Sequence, residues 1–518
     1  EEEAHAHQLI KEWRYQNYSK LSPLFHTPRL VAERNFRSLN DSGSSEEKEV
    51  ADYLAIWIRM LTYACFMYFL ISSIQIRRAV PITNAVHNSL KATFTRRAFP
   101  SALQPDVMLD FNSMHTIDDV WQWMEGPMIE ALFPDMHYNE QAMTSEEERY
   151  VLRANRLVGG VRMRQYRSGK TKRTGGCAEV MPALQGVAVL DSVGCYNEYS
   201  MDHQRMYVAS LGSDQAFGPG KEHDGFVFKR GELFNSFSFF SGVSFYSRDS
   251  FVTELPADRG KAKALLWHLR ESRWLDDSTR GLMITFNLFN TNYYSVTAVK
   301  LFLEFSPTGG LVKETTTNTI WLSFYSKAGG GTGQTSTFLM WADSVMFVYV
   351  LVTLYTTMWE VALYGVNAYF ACVWNVTDVL LCAGITTQLI YQIIFDFVRA
   401  REVDLSVPHY VHLEAQVDMY LHGINISVFN MLLAAASSFK LLQRNLSVSK
   451  IWQTLDIGGG VFLSFLFVFA VVGYTFLVIS HFSFGPEVES FSTLMGATNS
   501  LLVMITGSVD YAHIRTAD

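Results

Sequence analysis

At 518 residues the chain is long enough for two or more folding units. Charged residues make up only 18%, against a usual share of about 25%, while aromatics reach 14%, a balance that points to lipid contact. A net charge of -8 argues against a nucleic-acid partner, and no zinc-type His/Glu motif, nucleophile elbow or Walker loop supports an enzyme.

Residues 1–51 are polar, mix Glu with Lys and Arg, and include a loop-like Ser42-Gly43-Ser44-Ser45; they read as a cytosolic amino-terminal arm. Residues 52–75 form the first spanning candidate. No cleavable signal precedes it, so this span is expected to act as its own signal anchor. Arg59 sits inside it, where a long side chain can snorkel to the headgroups.

From 76 to 335 the character changes to that of a soluble domain. Thr116, with Asp119 three residues on, predicts a capped helix carrying Val120, Trp121, Met124 and Met128, and 258–273 predicts another. Residues 225–228, 236–246 and 282–305 favour strands, with a turn near Asn290-Thr291-Asn292. The expectation is an α+β domain inserted between the first two spans and translocated largely regardless of its charge. Of five cysteines, Cys65, Cys372 and Cys382 lie in apolar runs. Cys177 and Cys195 lie in the polar domain without metal-type spacing. They are either two free thiols or a disulfide, which would contribute about 3 kcal/mol and need an oxidising compartment.

Gly329-Gly330-Gly331-Thr332-Gly333 lacks the Lys-Ser/Thr of a phosphate loop and reads as a hinge. Residues 336–443 then hold spans two to four. Asp378 falls within the third, and an ionisable group there is functional by default; its partner is expected to be a base on the fourth span. Lys440 and Arg444 have two readings. As sensing charges, each crossing the full field is worth about 2.3 kcal/mol per 100 mV, which makes for weak voltage dependence. Otherwise they mark the cytosolic end of the helix, as the acid-rich loop before span four and the basic linker at 444–455 also suggest.

Residues 456–518 carry the most informative pattern. The apolar run 457–480 is long enough to cross a hydrocarbon core of about 30 Å. A second helical pattern at 491–504 is too short, and it stops in Ile505-Thr506-Gly507-Ser508-Val509-Asp510. That is the pattern of a re-entrant pore helix, since irregular backbone survives at membrane depth only where it is buried in protein or lines water. The partly negative helix end and the oxygens beyond it can replace part of a cation's hydration shell. An amphipathic hairpin lying in the interface is the other reading.

The stretch from Phe484-Gly485 through Phe491-Ser492-Thr493 to Ile505-Thr506-Gly507-Ser508-Val509-Asp510-Tyr511 resembles the pore region of polycystin-2-type channels, members of the transient-receptor-potential superfamily. Phe111-Asn112-Ser113-Met114, residues 155–167, Phe217-Gly218-Pro219, Trp274-Leu275-Asp276 and Thr308-Gly309-Gly310 resemble, in order, the extracellular polycystin domain. Trp374-Asn375-Val376-Thr377-Asp378 resembles that family's third span.

The resemblance implies an α-helical membrane protein with a voltage-sensor-like bundle and a pore module. The inserted polycystin domain would be an extracellular lid, and the sixth, pore-lining helix is expected outside the 518 residues. It further implies a Cys177–Cys195 disulfide, a filter at Thr506, Gly507, Ser508 and Asp510, and sensing candidates Lys440, Arg444 and Asp378. The function implied is a tetrameric, non-selective cation channel of ciliary, flagellar or plasma membrane. It would need no cofactor beyond permeant cations, calcium among them. Its partners would be membrane lipid and either identical subunits or a polycystin-1-like subunit.

Three departures stand out. Ser437 replaces a family lysine, and Ser508 replaces the acid after the filter glycine, leaving Asp510 to supply an acidic ring or to be a solvated turn carboxylate. The domain also lacks the family's Asn-x-Ser/Thr acceptors. These departures sustain an alternative: a membrane anchor that binds an extracellular ciliary glycoprotein through the inserted domain.

Overall fold

The computed structural model describes residues 46–136, 141, 143, 150–169, 196–219, 223–231, 239–241, 244–322, 333–396, 407–442, 446–486 and 488–507. The chain divides into two compact units. One comprises Glu1–Ala64, Val352–Leu381 and Leu432–Asp518, the other Cys65–Leu351 and Cys382–Met431. Among the described residues, five helical stretches are long and apolar enough to cross a membrane: Trp57–Thr95, Ser336–Tyr364, Val373–Ile394, Glu414–Lys440 and Val461–Phe484.

The first stretch is two helices. α1 (Glu46–Arg78) ends at Ala79, whose φ of 41° breaks the ladder, and α2 (Val80–Thr95) restarts with proline in its first turn. Local chemistry also fixes the short helices of the inserted domain. α3 (Ile117–Trp123) opens with a capping box in which Thr116 Oγ1 accepts from Asp119 N at 3.1 Å and Asp119 Oδ2 accepts from Thr116 N at 3.1 Å. α4 (Met201–Ser210) is capped by Ser200, and α5 (Arg259–Glu271) by Asp258, whose Oδ1 accepts from Lys261 N at 2.8 Å.

The main sheet contains β1 (Tyr150–Val151), β2 (Asn155–Arg167), β3 (Phe228–Lys229), β4 (Ser250–Leu255), β5 (Thr279–Asn290), β6 (Ser295–Phe305) and β7 (Leu311–Trp321). Its order is β7-β6-β5-β2-β4-β3, with β1 paired to β2, and each described pairing is antiparallel. The hairpin register puts Asn290 opposite Ser295, so the turn predicted at 290–292 is where the chain reverses. One face of the sheet packs on Trp123, Met128, Leu266 and Leu269 from the helices, with Phe286 and Leu288 beneath them. Its other face is also covered.

That second layer comes from the membrane helices. α6 (Gly333–Tyr364), α7 (Val373–Ile394) and α8 (Glu414–Leu442) follow the sheet in the chain. Val296, Ile320 and Leu322 share a buried cluster with Phe395, Leu413, Val417, Tyr420 and Ile424. The irregular segment before α8 lies directly on β2. Gly159 there has φ +65°, and a Cβ on it would stand 2.1 Å from the His409 carbonyl oxygen. The β2–β5 register shifts between Val158 and Arg162, so a bulge makes the room. Asn287 Nδ2 donates to Val411 O at 2.7 Å, and Tyr410 N donates to Glu254 Oε2 at 3.2 Å.

Two outcomes follow. Gly159→Val is expected to cost about 2–4 kcal/mol, since it combines a left-handed backbone with a clash. Gly212→Ala, at φ +83° with nothing within 4 Å, is expected to cost about 1 kcal/mol. Thermal melts and limited proteolysis between 407 and 413 distinguish the two. Burial pushes the Asp119 carboxyl up, but hydrogen bonds from Ala102, Thr116 and His115 more than reverse this and hold it below its ordinary 3.8. Its stabilisation is therefore present above that value and lost as pH falls through the lower, folded one. Asp119→Asn should lower stability at neutral pH and flatten the acid limb of a melting-temperature profile below about pH 4.

Candidate functional site

α9 (Leu446–Phe484) is one continuous helix, so the described part of the linker read at 444–455, residues 446–455, is helical. The chain then turns through Gly485 and re-enters helix as α10 (Leu494–Ile505). Gly485 is required by close approach: a Cβ would meet His481 O at 2.2 Å and Phe491 O at 2.9 Å. His481 Nδ1 and Phe491 O are 2.7 Å apart, which ties the end of α9 to the turn. Thr493 Oγ1 caps α10 by accepting from Gly496 N at 3.0 Å. Val488, Phe491 and Ala497 are buried together, with Leu477 and Met504 against them, so the short helix packs back on the long one.

α10 ends at the predicted turn. Thr506 Oγ1 donates to Val503 O at 2.6 Å, and Gly507 N donates to Met504 O at 2.9 Å. Gly507 has φ +88°, the left-handed conformation that closes a helix and redirects the chain. Thr506 and Gly507 are both exposed. Ser508 and Asp510 lie outside the described residues, as do Arg444, Cys177 and Cys195.

The charged candidates on α7 and α8 come together. Lys440 Nζ is 2.6 Å from Asp378 Oδ2 and 3.0 Å from Asn375 Oδ1. Asn375 is held in turn by donating to Tyr369 O at 3.0 Å. Ser437, one turn earlier on α8, reaches Thr377 Oγ1 at 3.4 Å, and Phe439 lies against Trp374. The Lys440 and Asp378 side chains are 25% and 14% exposed, so the pair is largely shielded and weakly screened.

Sequence reasoning missed a second charge cluster. Arg77 Nη2 is 2.8 Å from Asp343 Oδ2, and Arg77 Nη1 is 3.8 Å from Asp396 Oδ2, all with side chains at most 14% exposed. Tyr420 OH donates to the Arg77 carbonyl at 2.6 Å. The available signal was Asp343, an acid inside the apolar run of the second span. Among the described residues, no group of three or more His, Cys, Asp or Glu could hold a metal ion.

These elements define a multi-pass α-helical membrane protein with a sheet-containing domain inserted after its first span. Residues 110–323 match the polycystin domain, and residues 332–518 match the polycystin cation channel family. The chain is 25% identical to zebrafish (Danio rerio) polycystin-2 over 93% of its own length and 50% of that protein's. It is 23% identical to human polycystin-2-like protein 1 over 80% of its length and 49% of the relative's. Mouse polycystin-1-like protein 3 matches at 20% over 52% of this chain and 12% of its own length. The chain therefore belongs to the polycystin cation channel family, and it spans about half the length of the first two relatives.

Breaking one member of the shielded pair should cost more than removing both. Asp378→Asn or Lys440→Met alone is expected to destabilise by about 3 kcal/mol, and the double substitution by clearly less. Melting of the detergent-solubilised protein in a double-mutant cycle measures the difference.

Proposed function

We propose that this chain is a subunit of a tetrameric, poorly selective cation channel with calcium among its permeant ions. The observation that carries the reading is the capped, apolar α10, which returns against α9 and stops at an exposed Thr506-Gly507 turn. A helix ending there directs the negative end of its dipole at the turn. Four such turns around one axis would offer carbonyl and hydroxyl oxygens in place of hydration water. Ser508 and Asp510 complete the proposed filter, with Asp510 as an acidic ring at its mouth.

The remaining roles follow from the same reading. Residues 76–335 would form an extracellular lid, braced by a Cys177–Cys195 disulfide. Lys440, paired to Asp378, and Arg444 would carry a small gating charge, so voltage dependence should be shallow. The match to a polycystin-1-like protein supports either a homotetramer or a heteromer with such a subunit. A ciliary or flagellar membrane fits the family.

Purified complete protein in planar bilayers tests this. Cation current with a shallow voltage dependence is expected. Gly507→Val should abolish it without dissociating the tetramer, because only glycine holds that turn at low cost. Asp510→Asn should move the reversal potential toward zero in asymmetric KCl. Absence of cation current from the intact wild-type tetramer would favour an anchoring role that binds a ciliary glycoprotein.

A further inference from the structure

One cavity of the inserted domain is used by none of these roles. It holds about 500 Å³ and is lined by one face of α4, by the end of β3 and by the segment leading into β4. Its described lining carries one cation and one anion that do not neutralise each other. Arg230 follows β3 and Asp249 precedes β4, and among the described residues neither takes part in an ion pair. Arg205, the third charged group of the lining, has its own counter-ion, Asp202 Oδ1 at 3.5 Å on the same helix.

The wall is built rather than loosely assembled. Asp249 Oδ1 accepts from Gly231 N at 2.8 Å, a neutral donor that orients the carboxylate and leaves its charge in place. The Asp249 carbonyl accepts from Gln204 Nε2 at 2.7 Å and from Ser247 Oγ at 2.9 Å, which pins the residue to α4. Gln215 has φ 47°, a conformation that L side chains rarely adopt, and its carbonyl accepts from Phe228 N at 2.9 Å. The Gln215 side-chain amide lines the cavity and has no hydrogen-bond partner among the described residues. Met201, Val208 and Phe228 supply an apolar part of the same wall.

This combination selects by charge. A simple anion would suit Arg230 but meet Asp249, and a simple cation would suit Asp249 but meet Arg230. A neutral ligand would leave both unpaired. A dipolar ligand pairs with each: a carboxylate fits the guanidinium fork, and an ammonium donates to the Asp249 carboxylate. The volume falls within the range of about 300–1,000 Å³ usual for small-molecule sites. We propose that this cavity binds a zwitterion of the α-amino acid class, free or as a short peptide, with its apolar side chain against Met201, Val208 and Phe228.

The test uses the complete protein in nanodiscs and saturation-transfer NMR, with L-leucine and L-leucyl-L-leucine as probes. Its readout is binding, so its outcome is separate from that of the conduction experiment. Saturable binding of at least one probe is expected, and the tighter of the two assigns the free amino acid or the peptide. The N-acetyl derivative of that probe, which lacks the ammonium, and its amide, which lacks the carboxylate, should each bind about tenfold more weakly. Arg230→Gln should weaken the parent probe about tenfold and bind parent and amide alike. Asp249→Asn, which keeps an acceptor for Gly231 N, should bind parent and N-acetyl derivative alike. Lys263→Glu, exposed on α5 and outside the lining, should bind as the wild type does. The proposal is overturned if neither probe binds or if either derivative binds the wild type as tightly as its parent. It is equally overturned if Arg230→Gln and Asp249→Asn both bind as the wild type does, or if Lys263→Glu weakens binding as much as they do.

Discussion

The seating of the inserted domain's sheet on the ends of α7 and α8 depends on one shared core. Val296 and Ile320 on the strands, Leu322 just after them, Leu413 just before α8, and Val417, Tyr420 and Ile424 on it are all buried in the same cluster. Each such side chain contributes about 1.5–3 kcal/mol when fully removed from water. Burial alone leaves register free, because apolar contact is non-directional. Register comes from polar contacts to main chain: Asn287 to the Val411 carbonyl, Glu254 to Tyr410 N, and the Gly159 bulge against His409. The domain is therefore built onto the membrane helices rather than tethered by a linker. Movement of that sheet edge and of the α8 amino-terminal end cannot be independent while the cluster stays intact.

Much of this organisation was legible in the sequence, and the parts that were not share a cause. Spans show themselves because lipid demands uninterrupted apolar runs, and α3 and α5 because caps are local chemistry at Thr116 and Asp258. β2 gave no such sign. Its residues are buried on both faces, so apolar and polar positions do not alternate, and it includes Arg164, Gln165 and Arg167. Arg167 is tolerated because Asp276 lies 2.5 Å away and the Phe217 ring lies 3.6 Å from its guanidinium carbon. Those partners are remote in sequence, and no window along the chain contains them. Arg77 and Asp343, 266 positions apart, were hidden for the same reason. The turn at Thr506-Gly507 was legible because helix length and a terminal glycine are both local quantities.

The membrane half shows how charge and shape divide the work. Asp378 and Lys440 neutralise one another across α7 and α8, and Asn375 gives the ammonium a second acceptor, so the pair contributes little net charge to its surroundings. Ser437 stands one turn before the lysine and adds none. If the proposed channel is gated through these helices, a pair neutralised in this way would be a small electrical lever, and opening energy would come mainly from contacts that differ between states.

α9 and α10 pose the complementary problem. The apolar window of α9 is only 6% buried, against 17–28% for the other spans, and Met495, Val503 and Ile505 on α10 are more than half exposed. Apolar exposure is satisfied by lipid, so on α9 it requires nothing further. The exposed turn at Thr506-Gly507 is different: were it at membrane depth, as the proposed pore requires, its main-chain groups would need water, protein or an ion. A single hairpin encloses none of these. In the proposed tetramer, closed rotational symmetry would resolve the conflict, because each copy would present its turn to a common axis while its apolar faces met lipid or neighbouring helices. On that reading, the geometry that leaves one subunit's turn without a partner would gather the oxygen atoms of several copies where a hydrated cation could use them.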